Sequence, residues 1–166
     1  MSEQKELGQL RTAVALLRIT LGIILLVTWY DNLRGGLYTA EGLTGFFNWL
    51  FDSENGNGSG LLFYQSFLES FIVPIAGPFA ALQMAAEFLI GLGLLIGLFT
   101  RFFGLMAMFF FVNLFFSYFG GHEWIWTYVL LFVSALTITI GAAGRRWGID
   151  SRLLKSRGKA KIPLLW

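Results

Sequence analysis

Four long apolar stretches are the feature of the sequence that most restricts its fold. A helix needs about 20 mostly apolar residues to cross roughly 30 Å of hydrocarbon. Stretches of near this length or longer cover residues 12–30, 72–99, 102–119 and 124–144. Only 13% of the residues are charged, whereas a soluble domain carries about 25%. We therefore predict an all-α integral membrane four-helix bundle that forms a single domain over residues 1–166.

The basic residues predict the orientation of this bundle, because cytoplasmic loops retain positive charge. All Lys and Arg residues except Arg18 and Arg34 precede the first span, lie between the second and third, or follow the fourth. We predict a multi-pass protein of a prokaryotic plasma membrane, with the N- and C-termini in the cytoplasm. The basic tail at 145–166 is expected to meet anionic membrane lipid rather than nucleic acid.

Residues 31–71 join the first two spans on the outer side and are too numerous for a turn. Their apolar residues recur at helical spacing in two places, which predicts two short amphipathic helices in this outer loop. The Asn- and Gly-rich linker at 55–60 is predicted to be a flexible turn. The apolar positions are Leu43, Phe46, Phe47, Leu50 and Phe51 in the first helix, and Leu61, Tyr64, Phe67, Leu68 and Phe71 in the second.

Several kinds of redox site are excluded by composition. The chain has no cysteine, so it cannot itself hold a disulfide, a thiol pair or a thiolate-bound metal. Its one histidine, His122, cannot supply paired axial ligands to a haem. Neither a dinucleotide fingerprint nor a helical metal-ligand pair is found in the sequence, so we predict no metal and no covalently bound cofactor. A redox role would depend on a diffusible cofactor such as quinone, or on another subunit.

Arg18 and Glu87 are ionisable residues inside apolar stretches. Each would cost roughly 2.5 to 3.5 kcal/mol at the centre of a bilayer if left alone, so such residues face the bundle interior and find partners. We expect Arg18 and Glu87 to pair with each other. Two interpretations remain open: an ion pair that fixes the register of the bundle, or a site for a quinone headgroup or a proton path.

In the second interpretation Arg18 and Glu87 are the candidate catalytic residues. Arg18 would stabilise charge on the reduced quinone oxygen, and Glu87 would transfer protons. Polar residues of the third and fourth spans are expected to join them in one buried network. The candidate quinone- or substrate-binding residues are Gln83, Asn113 and Trp126, and the further network members are Ser117, Ser134, Thr137 and Thr139.

Five motifs, taken in order, resemble the DoxX/DoxD superfamily. The similarity is greatest to the DoxD-like branch, the small-subunit type of thiosulfate:quinone oxidoreductase, and extends over residues 12–153. The motifs are Leu17-Arg18 with Gly22, YQSFLESFIVP at 64–74, Glu87 followed by GLGLLIGLFTR at 91–101, HEWIWTY at 122–128, and GRRWGID at 144–150.

The resemblance implies a four-helix membrane bundle and, for some members, oxidation of a sulfur compound with delivery of electrons to quinone. Arg18, Glu87, Thr100 and Arg101 match the motif positions of the family. We predict a membrane subunit of a quinone-linked oxidoreductase that acts on thiosulfate or another small sulfur compound. A second oxidoreductase subunit and a further copy of the chain are the candidate protein partners. The alternative is a non-enzymatic membrane scaffold or a small-solute permease.

Overall fold

The computed structural model describes the backbone of residues 2–157 and the side chains of residues 3–156, and this part is helical without strands. The all-α prediction is confirmed. The end of the predicted basic tail, with Lys159 and Lys161, lies outside the described residues. The helices are α1 (Ser2–Arg34), α2 (Ala40–Phe51), α3 (Leu62–Phe67), α4 (Ala76–Ile96), α5 (Thr100–Tyr118), α6 (Trp126–Ile140) and α7 (Ile149–Arg157).

Within the described part of the chain, three helical segments are long and apolar enough to cross a membrane. These segments are Glu3–Arg34, Leu62–Ile96 and Thr100–Tyr118. The apolar helix α6 has 15 residues and is shorter than the predicted stretch 124–144. It ends at Ile140 because the backbone turns there: Ala142 has a φ of 44°, and a 3-10 turn follows at Ala143–Arg145.

Helix α1 is longer than the predicted span at 12–30. Its 33 residues correspond to about 50 Å at ~1.5 Å per residue, which exceeds the ~30 Å of a hydrocarbon core. The polar first turns contain Glu, Gln and Lys, which favour helix. The apolar residues predict only the part of α1 that is suited to lipid. The polar residues before them also favour helix, so α1 begins earlier than predicted.

The segment Leu62–Ile96 is one bent helical run. It passes through a π-helical turn at Leu68–Ile72 and a 3-10 turn at Val73–Ile75 before α4 begins. Pro74 and Pro78 have no N–H to donate to a carbonyl four residues back, which accounts for the change of helix type. The residues predicted as a separate second amphipathic helix are therefore the first part of this bent helix.

Helices α1, α4, α5 and α6 pack side by side, with α1 and α5 each contacting both α4 and α6. Helix α2 packs against α4 and against the start of the bent helix, where it forms a second apolar core. The first core contains Leu21, Leu25, Ile90, Leu94, Ala107, Phe111, Ala135, Ile138 and Ala143. The second core contains Leu43, Phe47, Tyr64, Leu68, Ile72, Ala76 and Ala80.

The Asn- and Gly-rich linker at 55–60 is anchored to the loop between α5 and α6. Asn57 and Ser59 are buried, and Asn57 Nδ2 donates to Ser59 Oγ at 2.8 Å. The Asn57 carbonyl accepts the His122 N–H at 3.0 Å. The prediction of a flexible turn is wrong for this part of the linker, because its polar groups find partners that composition alone does not show.

Candidate functional site

The expected pair of Arg18 with Glu87 does not form, so this prediction is wrong. Arg18 Nη1 donates to the carbonyls of Leu94 at 2.6 Å and Leu95 at 3.1 Å, close to the end of α4. These acceptors lie about two helical turns beyond Glu87. The last carbonyls of a helix lack partners within it and carry partial negative charge. They therefore attract the guanidinium away from the carboxylate.

The turn after α4 is shaped by Gly97, which has a φ of 69°. This left-handed conformation suits glycine, which has no Cβ. Leu98 N–H bonds to the Gly93 carbonyl at 3.0 Å, and Gly97 N–H to that of Leu94 at 3.3 Å, the pattern of a Schellman motif. A Cβ at position 97 would collide with the Arg18 guanidinium. Arg18 therefore packs against the turn in addition to bonding to the helix end.

Asp150, at the start of α7, binds the same turn from its other side. Its Oδ1 accepts the Phe99 N–H at 2.8 Å, and its Oδ2 accepts the Thr100 N–H at 2.9 Å. The N–H groups that begin a helix have no partner within it, and a carboxylate satisfies them well. Arg18 and Asp150 are both buried and attract each other across the turn. We call Arg18, Gly97, Thr100 and Asp150 the turn clamp.

Glu87 lies near the middle of α4 and is 1% exposed. Its Oε2 accepts the Tyr38 hydroxyl at 2.7 Å and Asn32 Nδ2 at 3.3 Å, and its Oε1 accepts Gln83 Nε2 at 2.9 Å. Asn32 comes from the last turn of α1, Tyr38 from the connection to α2, and Gln83 from the preceding turn of α4. Glu87 and these three residues form the Glu87 cluster, in which neutral donors surround a buried carboxylate.

Trp29 borders the Glu87 cluster. It lies one turn before Asn32 in α1, and its ring centroid is 4.9 Å from that of Phe88, the residue after Glu87. Its Nε1–H is buried and has no hydrogen-bond partner among the described residues. An unmatched buried donor costs about 1 to 3 kcal/mol. A ligand oxygen placed beside this indole would satisfy it.

The other predicted site residues lie in different places. Gln83 belongs to the Glu87 cluster, whereas Asn113 Oδ1 accepts the Tyr64 hydroxyl at 3.2 Å and links α5 to α3. Trp126 is exposed at the start of α6. The quinone-binding roles assigned to these residues stay predictions.

The predicted buried network does not include the polar residues of α6. Ser134, Thr137 and Thr139 donate to carbonyls four residues back in their own helix, at 2.8, 2.8 and 2.7 Å. Hydroxyl groups in apolar helices satisfy themselves in this way. The prediction of one shared network is wrong for these three residues.

Asn32 and Tyr38 are not among the site residues predicted from sequence. Both follow the first apolar stretch, in a segment interpreted as outer loop. One signal was available: Asn32 lies one turn after Trp29, so the two share a helix face. For Tyr38, which reaches Glu87 from the connection after α1, no such periodic signal exists.

Long apolar helices with buried charges bonded to helix ends define an integral membrane protein. Within the described residues, no group of three or more His, Asp or Glu is placed to hold a metal ion. The DoxX family model matches residues 13–123, which is more than half of the chain, and the chain belongs to the DoxX family. The matched region contains Arg18, Glu87 and Thr100 but ends before Asp150. No curated protein and no solved structure matches the chain.

The turn clamp predicts a large effect of Asp150→Ala. Two N–H groups would lose their acceptor and buried Arg18 would lose its opposite charge, which should cost about 2 to 5 kcal/mol. We expect a clearly lower Tm for the purified protein in detergent, followed by circular dichroism. Asp31→Ala, which removes an exposed carboxylate of α1, is the control. Equal Tm values for the two variants would contradict the clamp.

The Glu87 cluster predicts a pH effect. Burial, and then the hydrogen bond to Glu87, raise the pKa of Tyr38 above the ordinary value of about 10. Above that pH the unfolded chain releases this proton while the folded protein keeps it, so the contribution of Tyr38 to stability falls as pH rises.

Between about pH 9 and pH 11, the Tm of Tyr38→Phe should therefore fall by less than the Tm of the wild type. Tyr30→Phe, which alters an exposed ring of α1, should behave like the wild type. If the Tm of all three proteins falls by the same amount over this interval, the hydroxyl of Tyr38 is not held as the structure shows.

Proposed function

We propose that the chain is a membrane subunit of a quinone-linked oxidoreductase of the DoxD-like branch. The Glu87 cluster is the observation that carries this proposal. Reduction of a quinone needs a proton donor, hydrogen-bond donors for the carbonyl oxygens and an apolar surface for the ring. Glu87 is a buried carboxylate, and Trp29, one turn before Asn32 of the cluster, has a buried and unmatched indole N–H. The Trp29 ring packs against Phe88, the residue after Glu87, and the two rings supply aromatic surface.

The proposal places α1, the bent helix, α5 and α6 across the bilayer, with both chain ends in the cytoplasm. Helix α6 is about 22 Å long at ~1.5 Å per residue, and a short span is accommodated by local thinning of the bilayer. Helix α2 and the start of the bent helix, which includes α3, then lie at the outer surface. This topology puts the Glu87 cluster toward the outer face and the turn clamp toward the cytoplasm.

The donors around Glu87 suit a group that gains and loses a proton. Asn32 and Gln83 each have an amide group with two N–H donors and a carbonyl acceptor. In the structure their nitrogens face Glu87. If an amide turns over, its oxygen accepts from a protonated carboxyl. The cluster can therefore bind Glu87 in either charge state.

Each residue then has a defined role. Glu87 exchanges a proton with one quinone oxygen, Trp29 Nε1 donates a hydrogen bond to a quinone carbonyl oxygen, and Tyr38 connects Glu87 to the outer loop. The electrons come from thiosulfate or another small sulfur compound, which a second subunit oxidises. Arg18 bonds to the end of α4, so we give it a positioning role in place of the catalytic role considered from sequence.

The topology predicts the sidedness of two exposed serines, Ser53 and Ser156. Because the chain has no cysteine, Ser53→Cys and Ser156→Cys each introduce a single thiol without background. In right-side-out membrane vesicles, an impermeant maleimide should label Ser53→Cys at once and Ser156→Cys only after permeabilisation. The reverse pattern would overturn the orientation, and labelling of both in sealed vesicles would overturn the span count.

Glu87→Gln tests the proton-transfer role. Glutamine keeps the size and hydrogen-bonding capacity of the side chain but cannot carry the proton. A positioned acid or base contributes about 10²- to 10⁴-fold to a rate, so quinone reduction with thiosulfate in native membranes should fall at least about tenfold. Glu69→Gln is the matched control, because Glu69 is exposed and bonds to Gln65. Equal rates for these variants would contradict a proton-transfer role for Glu87.

Quinone binding is measured separately on the purified chain. A short-chain ubiquinone titrated into nanodiscs should quench tryptophan fluorescence saturably in the wild type and in Glu87→Gln. Trp29→Phe should weaken this binding severalfold, whereas Trp124→Phe, at an exposed position, should not. Absence of saturable quenching in the wild type would overturn the quinone site.

A further inference from the structure

Two basic cavities lie at the end of the molecule that contains the turn clamp. One has a volume of about 530 Å³ and lies beside Ile96, and the other has about 380 Å³ and lies beside Ile140. Arg145 and Arg146 border both. Among the described residues, no carboxylate lines either cavity. The basic residues that line them are Arg11, Arg101, Arg145, Arg146, Arg152 and Lys155.

The central arginines are held in place by the backbone that carries them. Ala143 and Gly144 are buried, whereas Arg145 and Arg146 are exposed. A Cβ at Gly144 would collide with Thr100 Oγ1 and Asp150 Oδ2, so this segment lies directly against the turn clamp. The backbone that carries Arg145 and Arg146 is therefore held between the two cavities.

The walls of the cavities combine these charges with apolar side chains. Ile140 is 71% exposed and Trp147 is 57% exposed, and Arg146 lies 5.4 Å from the Trp147 ring centroid. Exposed tryptophan and snorkelling arginine are typical of the membrane boundary. A small inorganic anion would use only the charges, whereas a phospholipid would contact both the charges and the apolar surface.

We propose that these cavities bind the phosphate group of an anionic phospholipid, with Arg145 and Arg146 between them as the main contacts. Guanidinium groups match the geometry of phosphate oxygens. Clusters of roughly four to eight Lys and Arg beside a transmembrane helix are typical of anionic-lipid binding. The inference depends on the topology proposed above but not on the quinone chemistry.

The test measures phosphatidylglycerol binding to the purified full-length chain in detergent by native mass spectrometry. The loss of two positive charges predicts roughly thirtyfold weaker binding for Arg145→Gln/Arg146→Gln. Lys5→Gln/Arg34→Gln also removes two charges, but at exposed positions that do not line the cavities. This control should bind like the wild type.

Each other outcome would overturn the proposal in a definite way. Equal weakening in both double variants would indicate general charge attraction without a site. Equal binding of phosphatidylcholine would show that the cations do not select the lipid. Displacement of phosphatidylglycerol by millimolar inorganic phosphate would indicate a site for the free anion.

Two further measurements keep the test decisive. If Arg145→Gln/Arg146→Gln lowers the Tm, Arg152→Gln/Lys155→Gln, which alters the larger cavity, replaces it and should also weaken phosphatidylglycerol binding. Unchanged binding in this second variant would contradict the proposal. The assay contains no quinone and no partner subunit, and maleimide labelling tests the topology separately. A failed lipid site is therefore distinguishable from a failed quinone proposal.

Discussion

The turn between α4 and α5 is held by two buried charges from distant parts of the chain. Arg18 binds the carbonyl end of α4, and Asp150 binds the amide end of α5. Each charge is opposite in sign to the helix end it meets. Neither would be stable alone in an apolar interior. The interaction therefore fixes the N-terminal helix and the C-terminal segment against one turn.

The clamp sets the depth of α1 relative to α4, and this in turn builds the Glu87 cluster. Asn32 lies roughly 21 Å along α1 from Arg18, at ~1.5 Å per residue. This separation brings Asn32 to the level of Glu87, and its side chain donates to the carboxylate. Tyr38, in the connection to α2, then folds back to the same carboxylate. Because Arg18 is already bonded to α4, Glu87 is left to neutral partners.

Hydropathy predicted where the apolar helices lie, because a run of roughly 20 apolar residues is typical of a membrane-spanning helix. It did not predict the ends of the helices, which depend on propensity in α1 and on backbone turns at Ala142. The Arg18 pairing was wrong because sequence positions give the depth of a Cα atom and not the direction of a long side chain. Backbone carbonyls compete for such a cation, and no charge pattern reveals them.

Asp150 shows a different limit. Its motif was recognised, yet its role depends on contacts with Phe99 and Thr100, about 50 residues earlier in the chain. An acidic residue in the first turn of a helix ordinarily interacts with its own helix. Only the packing of α7 against the turn shows that it binds another helix. The position of Gly144 against Thr100 and Asp150 then explains the glycine of this motif.

The separation of the two polar clusters also bears on the choice between a redox subunit and a permease. Buried Leu21, Leu25 and Ile90 lie between the turn clamp and the Glu87 cluster. A permease needs polar groups along the whole route, because an ion or polar solute in hydrocarbon pays its full desolvation cost. This apolar layer instead favours proton exchange at Glu87 with one side only, the side of Tyr38. Under the proposed function and topology, protons of the quinone reaction would pass to and from the outer face.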